Sequence, residues 1–174
     1  TKAATLAIAE HDGPVYLRFG RPVVPIFTPA DQKFEIGKAV IFNEGADVSI
    51  FATGHLVWKA IEAGELLAAK GIDAEIINIH TIKPLDVEAV LKSVRKTQCV
   101  VSAEEHQIAG GLGDAISHVL SQHHPVPQEF VGIKDSFGES GTPEQLMQKY
   151  GLEAENIVLA VEKVMSRKSQ MIHS

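Results

Sequence analysis

The stretch from Gln98 to Asp114, Gln-Cys-Val-Val-Ser-Ala-Glu-Glu-His-Gln-Ile-Ala-Gly-Gly-Leu-Gly-Asp, restricts what this chain can fold into more than any other. Cys99, Val100 and Val101 form a short apolar run of the kind that fills a central parallel strand, buried on both faces. The run ends in a charged cluster, Glu104, Glu105 and His106. Gly110, Gly111 and Gly113 follow, then Ile116, Val119 and Leu120 at helical spacing. The pattern reads as strand, exposed turn, glycine hinge, helix. In open α/β sheets such a turn lies at the carboxyl edge of the strands, where ligands and partner domains meet the fold.

Glycines in a strand-to-helix turn raise the question of a nucleotide. The dinucleotide fingerprint spaces its glycines at relative positions one, three and six. Starting from Gly111 and Gly113, the third place falls on Ile116. Asp114 stands in the first helical turn, where its charge suits the helix dipole but repels a phosphate wanting the same amides. No Lys-Ser or Lys-Thr pair follows, so this is not a Walker loop. The simpler reading is that these glycines let the helix approach the sheet and the turn adopt positive φ.

The flanking sequence repeats the alternation. Lys33 to Ile36 and Lys38 to Phe42 read as short strands divided by Gly37, with Asn43-Glu44-Gly45 as the turn. Val48 to Ala52 is an apolar strand broken by Thr53-Gly54, and Leu56 to Lys70 is an amphipathic helix closed by Gly71. Gly64 inside that helix costs roughly 1 kcal/mol relative to alanine, which points to close packing. Ile72 to Ile79 is the next strand, and Thr81-Ile82-Lys83-Pro84 turns the chain into a helix capped by Asp86 and reaching about Lys96. After the central unit, Gln128 to Ile133 is a further strand. The turn-rich loop Asp135-Ser136-Phe137-Gly138-Glu139-Ser140-Gly141 leads to Thr142, Pro143 and Gln145, which form a capping box. That helix stops at Tyr150-Gly151, and a last one runs from Ala154 to about Arg167. Strands alternating with helices imply right-handed crossovers and an α/β fold of three layers, its sheet mostly parallel and Rossmann-like.

The beginning of the chain does not belong to that pattern. Thr1 to Glu10 reads as helix, His11-Asp12-Gly13-Pro14 as a stop, and Val15 to Phe19 as a strand. One helix and one strand cannot bury a core. Pro22, Pro25 and Pro29 then mark an extended linker. Residues 1–29 are therefore expected to be the tail of a preceding domain and its linker, 30–168 the main domain, and 169–174 a disordered tail.

Composition excludes several classes of function. A net charge of −6 over 174 residues argues against nucleic acid or an acidic membrane as partner. Cys99 is the sole cysteine, so no internal disulfide is possible and a reducing cytoplasm fits. No stretch approaches the ~18 to 20 apolar residues of a membrane span. His123 and His124 are neighbours near a helix end with no acidic or cysteine partner at metal spacing, so no metal site is assigned. Glu104 and Glu105 do not make an acid pair, because neighbours on extended chain point to opposite faces. His55, His80 and His106 each follow a strand at its carboxyl edge, where a catalytic cluster could form, and Lys83 reads as an exposed turn lysine.

Asp47 to Gly54, Gly71 to Asn78 and Thr81-Ile82-Lys83-Pro84-Leu85-Asp86 resemble the C-terminal domain of transketolase. Val101 to His106 with Gly110-Gly111-Leu112-Gly113 continues the similarity, and Gly132, Phe137-Gly138-Glu139-Ser140-Gly141 and Tyr150-Gly151-Leu152 are its most transketolase-like part. The resemblance spans about residue 13 to residue 165. The same domain occurs in deoxyxylulose-phosphate synthase and in beta subunits of 2-oxo-acid dehydrogenases, which remain alternatives; a free-standing nucleotide-binding or regulatory module is the alternative from another class.

What the resemblance implies is part of a thiamine-diphosphate enzyme, with a divalent cation (Mg or Ca), that moves a two-carbon ketol unit between sugar phosphates. The cofactor supplies the carbanion chemistry and the protein supplies position and electrostatics. The family's diphosphate-binding Gly-Asp-Gly motif is missing, since Gly113-Asp114 continues to Ala115. The resemblance begins after the family's pyrimidine-contacting glutamate and substrate histidines, which implies that His55, His80 and His106 are interface or turn residues. The fragment is thus expected to hold no cofactor and to be inactive alone, serving a homodimer and an N-terminal thiamine-diphosphate-binding section. One site residue carries over. Val15-Tyr16-Leu17-Arg18-Phe19-Gly20-Arg21-Pro22 resembles the end of the pyrimidine-binding domain, where an arginine matching Arg21 holds the sugar phosphate. Its planar fork suits phosphate oxygens. Arg18, on the other side of the same strand, is read as structural.

Overall fold

From Val40 onward the apolar runs become the strands of one five-stranded sheet. In the computed structural model residues 1–20, 23–29 and 32–172 are described. In chain order the elements are α1 (Lys2–Ala9), β1 (Val40–Asn43), β2 (Val48–Ala52), α2 (Leu56–Ala68), β3 (Ala74–Asn78), α3 (Val87–Thr97), β4 (Val100–Gln107), α4 (Leu112–His123), β5 (Gln128–Ile133), α5 (Pro143–Lys149) and α6 (Ala154–Ile172). The strand order is β1-β3-β2-β4-β5, with β1 antiparallel and the other four parallel. From β2 the chain winds first outward to β3, then back across to β4 and on to β5. The direction of winding reverses between β2 and β4, whose register pairs Ser49 with Val100 and Ala52 with Ala103.

Helices cover both faces, so the central strands are apolar throughout: all five residues of β2 are buried. On one face Ile50, Ile76 and Val101 pack with Leu67 of α2 and Val161 of α6. On the other, Phe51, Ile77 and Val100 pack with Val94 of α3 and Ile116 of α4. Each such fully buried side chain stabilises by roughly 1.5–3 kcal/mol relative to an exposed one. A polar seam runs under α3: Ser49 bonds Ser93 at 2.5 Å and Thr97 at 2.6 Å, Ser93 donates to buried Glu75, and Lys96 closes on Glu75 at 2.7 Å. Gly64 lies against β3, where a Cβ would stand 2.4 Å from Ile76 Cδ1, as the close-packing reading of that glycine expects.

Four local expectations are corrected. Residues 15–19 form no strand; Tyr16 and Phe19 are 86% and 65% exposed, because no neighbouring strand is there to pair with the segment. Residues 33–36 form no strand either. Lys38 N bonds Glu35 O at 3.1 Å and Gly37 takes φ +82, so the chain turns instead of extending. The cluster Glu104, Glu105, His106 is not a turn but the last part of β4. Finally, α6 runs through Ile172, past its expected end near Arg167, so the segment 169–172 is helical rather than a loose tail. Lys168 holds that end by donating to Asp47 O at 3.1 Å and Thr97 O at 2.8 Å. Residues 173 and 174 lie outside the described residues.

Candidate functional site

The reversal between β2 and β4 opens a crevice at their carboxyl ends, the place where doubly wound sheets take their ligands. Here the chain fills it. Thr53 N bonds Ala103 O at 3.1 Å, Gly54 turns at φ +60, and His55 follows at the mouth of α2. His55 Nδ1 lies 2.7 Å from Glu105 Oε2. The imidazole in turn covers Gly20, so closely that a Cβ there would stand 2.2 Å from the ring. The segment arriving from the amino end thus lies against His55, and any side chain at position 20 would have to displace the imidazole from its place beside Glu105.

The pleat of β4 sends Glu104 the other way, beneath the start of α4. It is 2% exposed, and its two oxygens accept from Leu112 N at 2.7 Å and Gly113 N at 2.8 Å. Asp114 accepts from Gly110 N at 2.6 Å. A carboxylate here satisfies orphan amides and sits well on the positive end of the helix dipole. Each glycine has its use: a Cβ on Gly111 would stand 2.0 Å from Glu104 Oε2, one on Gly113 would stand 2.5 Å from Phe130, and Gly110 takes φ +81. The amides that a phosphate would need are occupied by the protein's own anion.

The other candidates are dispersed. His80 stacks on Phe34 with centroids 4.2 Å apart, and its Nδ1 bonds Thr81 Oγ1 at 2.9 Å. Burial holds its pKa below the ordinary imidazole value, and its buried Nε2 has no partner among the described residues. His106 Nδ1 donates to Gln107 O at 2.9 Å and lies 4.0 Å from Glu104. His124 Nε2 lies 3.2 Å from Gln98 Oε1. Burial pushes the Cys99 thiol up to about 11, so it stays an inert core residue. Arg18 is exposed, and Arg21, expected to hold phosphate, lies outside the described residues. Among the described residues no group of three or more His, Cys, Asp or Glu could hold a metal ion.

Residues 37–157 match the family model of the transketolase C-terminal domain. The chain belongs to this family. A 6-deoxy-6-sulfo-D-fructose transketolase subunit (SqwH) of Clostridium sp. (strain MSTE9) is 48% identical over 97% of this chain and 52% of its own length. A putative transketolase C-terminal section of Methanocaldococcus jannaschii is 40% identical over 97% of this chain and 53% of its own length. Among solved structures, a split gene transketolase in an inactive beta4 tetramer superposes with TM-score 0.91 at 46% identity, covering 95% of this chain and 56% of that one. The chain therefore spans about half the length of the curated relatives it matches.

Within this transketolase domain, thiamine diphosphate does not fit the residues present. The glycine-rich helix start that could cradle a diphosphate is already capped by Glu104. Sequence reasoning took Glu104 for a turn residue. The signal that could have corrected it is the N-cap of α4: Gly111 has no side chain to satisfy the first amides, so an acceptor had to come from elsewhere.

Proposed function

We propose that this chain is the C-terminal domain, within the C-terminal section, of a transketolase that moves a two-carbon ketol unit between sugar phosphates in the cytoplasm. Thiamine diphosphate and a divalent cation are held by the N-terminal section, which is its partner. The observation that carries this reading is the filled crevice. At the carboxyl edge of the sheet, two places where such a fold takes a ligand are closed by the chain itself, by Glu104 on the α4 amides and by Gly20 against His55. Meanwhile Tyr16, Phe19, Val23 and Ile26 in the incoming segment stand 65% to 99% exposed. A domain that fills its own site while leaving apolar side chains open is built to be joined to something. The beta4 tetramer of the similar split gene transketolase supports self-association of such sections, and a homodimer is the simplest symmetric form.

The test is an assay of this chain alone and of the complete enzyme, using a ketose phosphate donor, an aldose phosphate acceptor, thiamine diphosphate and Mg. Turnover is expected only from the complete enzyme, and turnover by this chain alone overturns the reading. Arg21 is proposed to bind the substrate phosphate. Arg21→Ala in the complete enzyme then raises KM for phosphorylated substrates and leaves unphosphorylated ketols nearly untouched. A second reading has support from a 1-deoxy-D-xylulose-5-phosphate synthase of Geobacter sulfurreducens, 39% identical over 91% of this chain. Decarboxylating condensation of pyruvate by the complete protein, in place of ketol transfer, decides for it. Calorimetric titration with nucleotides is expected to show no specific heat.

A further inference from the structure

The edge strand β1 is covered on one face only. Phe42 turns one way and meets Phe27 of the linker edge-on at 5.6 Å. Ile41 turns the other way and stays 40% exposed, because α3 packs on β2 and leaves the edge strand open. A groove of about 450 Å³ results between α3 and β1, floored by Ile41, Ile77 and Ala89. It has room for the side chains of a partner, not merely for a water. On the other flank of α3 a second groove is walled by Val87, Leu91 and Arg95, with Val87 37% exposed. Between the two grooves Glu88 and Lys92, one helical turn apart, form a charged ridge.

Charge identifies the occupant. On other helices the cations are paired, Lys59 with Glu153, Lys70 with Glu162 and Arg167 with Glu129. Glu88, Lys92 and Arg95 form no ion pair among the described residues, although Glu88 precedes Lys92 at the spacing that pairs most readily within a helix. A purely anionic ligand would meet Glu88 in the middle of the ridge. A second copy of this chain meets the ridge with its own. When two α3 helices lie antiparallel across a two-fold axis at the level of Val90 and Leu91, Glu88 of each falls opposite Lys92 and Arg95 of the other. The ridge of one copy then enters the groove of its twin beside Val87 and Leu91, as helix ridges pack into grooves. Such placed pairs matter here, because copies that each carry a net charge of −6 otherwise repel. We propose that the α3 face is a two-fold interface between copies of this chain, with Leu91 meeting its twin near the axis and Glu88 paired across it. The proposal rests on the self-association put forward above and adds the surface that makes it.

The experiment uses the complete protein with Leu91→Cys, oxidised and digested. A disulfide joining two copies through position 91 is expected. None is expected from Leu159→Cys, which is 61% exposed on α6 across the sheet. No bridge at position 91 overturns the interface, and equal bridging at both positions, the mark of random collision, overturns it too. In parallel, Lys92→Glu with Arg95→Glu is expected to weaken self-association at least about tenfold, read as dissociation on dilution. Adding Glu88→Arg, which restores opposite charges across the axis, should recover most of it. Unchanged association in the double variant, or no recovery in the triple one, sinks the proposal. Ketol transfer by a complete protein that forms no bridge at position 91 keeps the activity and sinks the interface. A bridge there in a protein that does not transfer ketol units keeps the interface and sinks the activity.

Discussion

Glu104 and Glu105 are chemically identical neighbours with unrelated work, and the pleat of β4 is the whole reason. Alternation sends Glu105 toward His55 at the crevice and Glu104 under α4, where its oxygens serve two buried amides. Glu104→Ala leaves those amides without an acceptor and opens a hole, so the domain should lose about 2–4 kcal/mol in urea unfolding, and Glu104→Gln about half of that. A change under about 0.5 kcal/mol for the alanine would mean that water serves the amides as well. The same scale sets a pH response. His80 has a folded pKa below 6.5 because burial disfavours the imidazolium. As pH falls through 6.5 the unfolded chain takes up this proton first, so stability is full above that value and declines until the lowered folded pKa is passed. Unfolding midpoints at about pH 7.5 and about pH 5.5 should differ less in His80→Asn than in the parent. Alternation was legible in the sequence and correctly excluded an acid pair. Burial was not, since Glu-Glu-His is as polar in a strand end as in a loop.

At the scale of elements, the turn between β1 and β2 depends on a glycine for a reason of space. A Cβ on Gly45 would stand 2.3 Å from the carbonyl carbon of Ala74 and 2.4 Å from Glu75 N, backbone atoms of β3 that cannot step aside. Ala46 N and Asp47 N both donate to Asp73 O, at 3.1 and 2.9 Å, so the turn is tied to the start of β3. Gly45→Ala is expected to cost about 2–4 kcal/mol, while Gly138→Ala, with nothing within 4 Å, should change thermal unfolding by less than about 0.5 kcal/mol. Elements from Val48 onward were readable because both periods are strong and the punctuation is chemical: Asp86 caps α3 by accepting from Ala89 N at 3.1 Å, and Thr142 with Gln145 makes the expected box. Val15 to Phe19 has the composition of a strand and still forms none, because strand propensity is realised only against a neighbour. The end of α6 was missed for a related reason. Its last turns are polar in sequence, and what holds them is Lys168 reaching carbonyls of Asp47 and Thr97 far away in the chain.

For the whole molecule the question is where the energy of the open segment goes. Tyr16 and Phe19 lie mostly in water, and each ring would bury about 150–250 Å², worth roughly 4–6 kcal/mol at 25 cal/mol per Å² before ordering costs are subtracted. Val23 and Ile26 add to the same surface at 99% and 96% exposure. Phe27, by contrast, is used inside this chain: it stacks on Trp58 at 6.0 Å and meets Phe42 edge-on at 5.6 Å. The linker is therefore anchored at Gly20 and Phe27, while Tyr16, Phe19, Val23 and Ile26 face outward. Substituting the outward rings should separate folding from assembly. Tyr16→Ser with Phe19→Ser is expected to leave unfolding of this chain within about 0.5 kcal/mol of the parent. It should weaken assembly with the N-terminal section by at least about tenfold, read as subunit dissociation on dilution. Easier unfolding of the isolated chain would show that the rings pack within it. Undiminished assembly would move the joint away from this edge, and with it the reason for clamping Gly20 beneath His55.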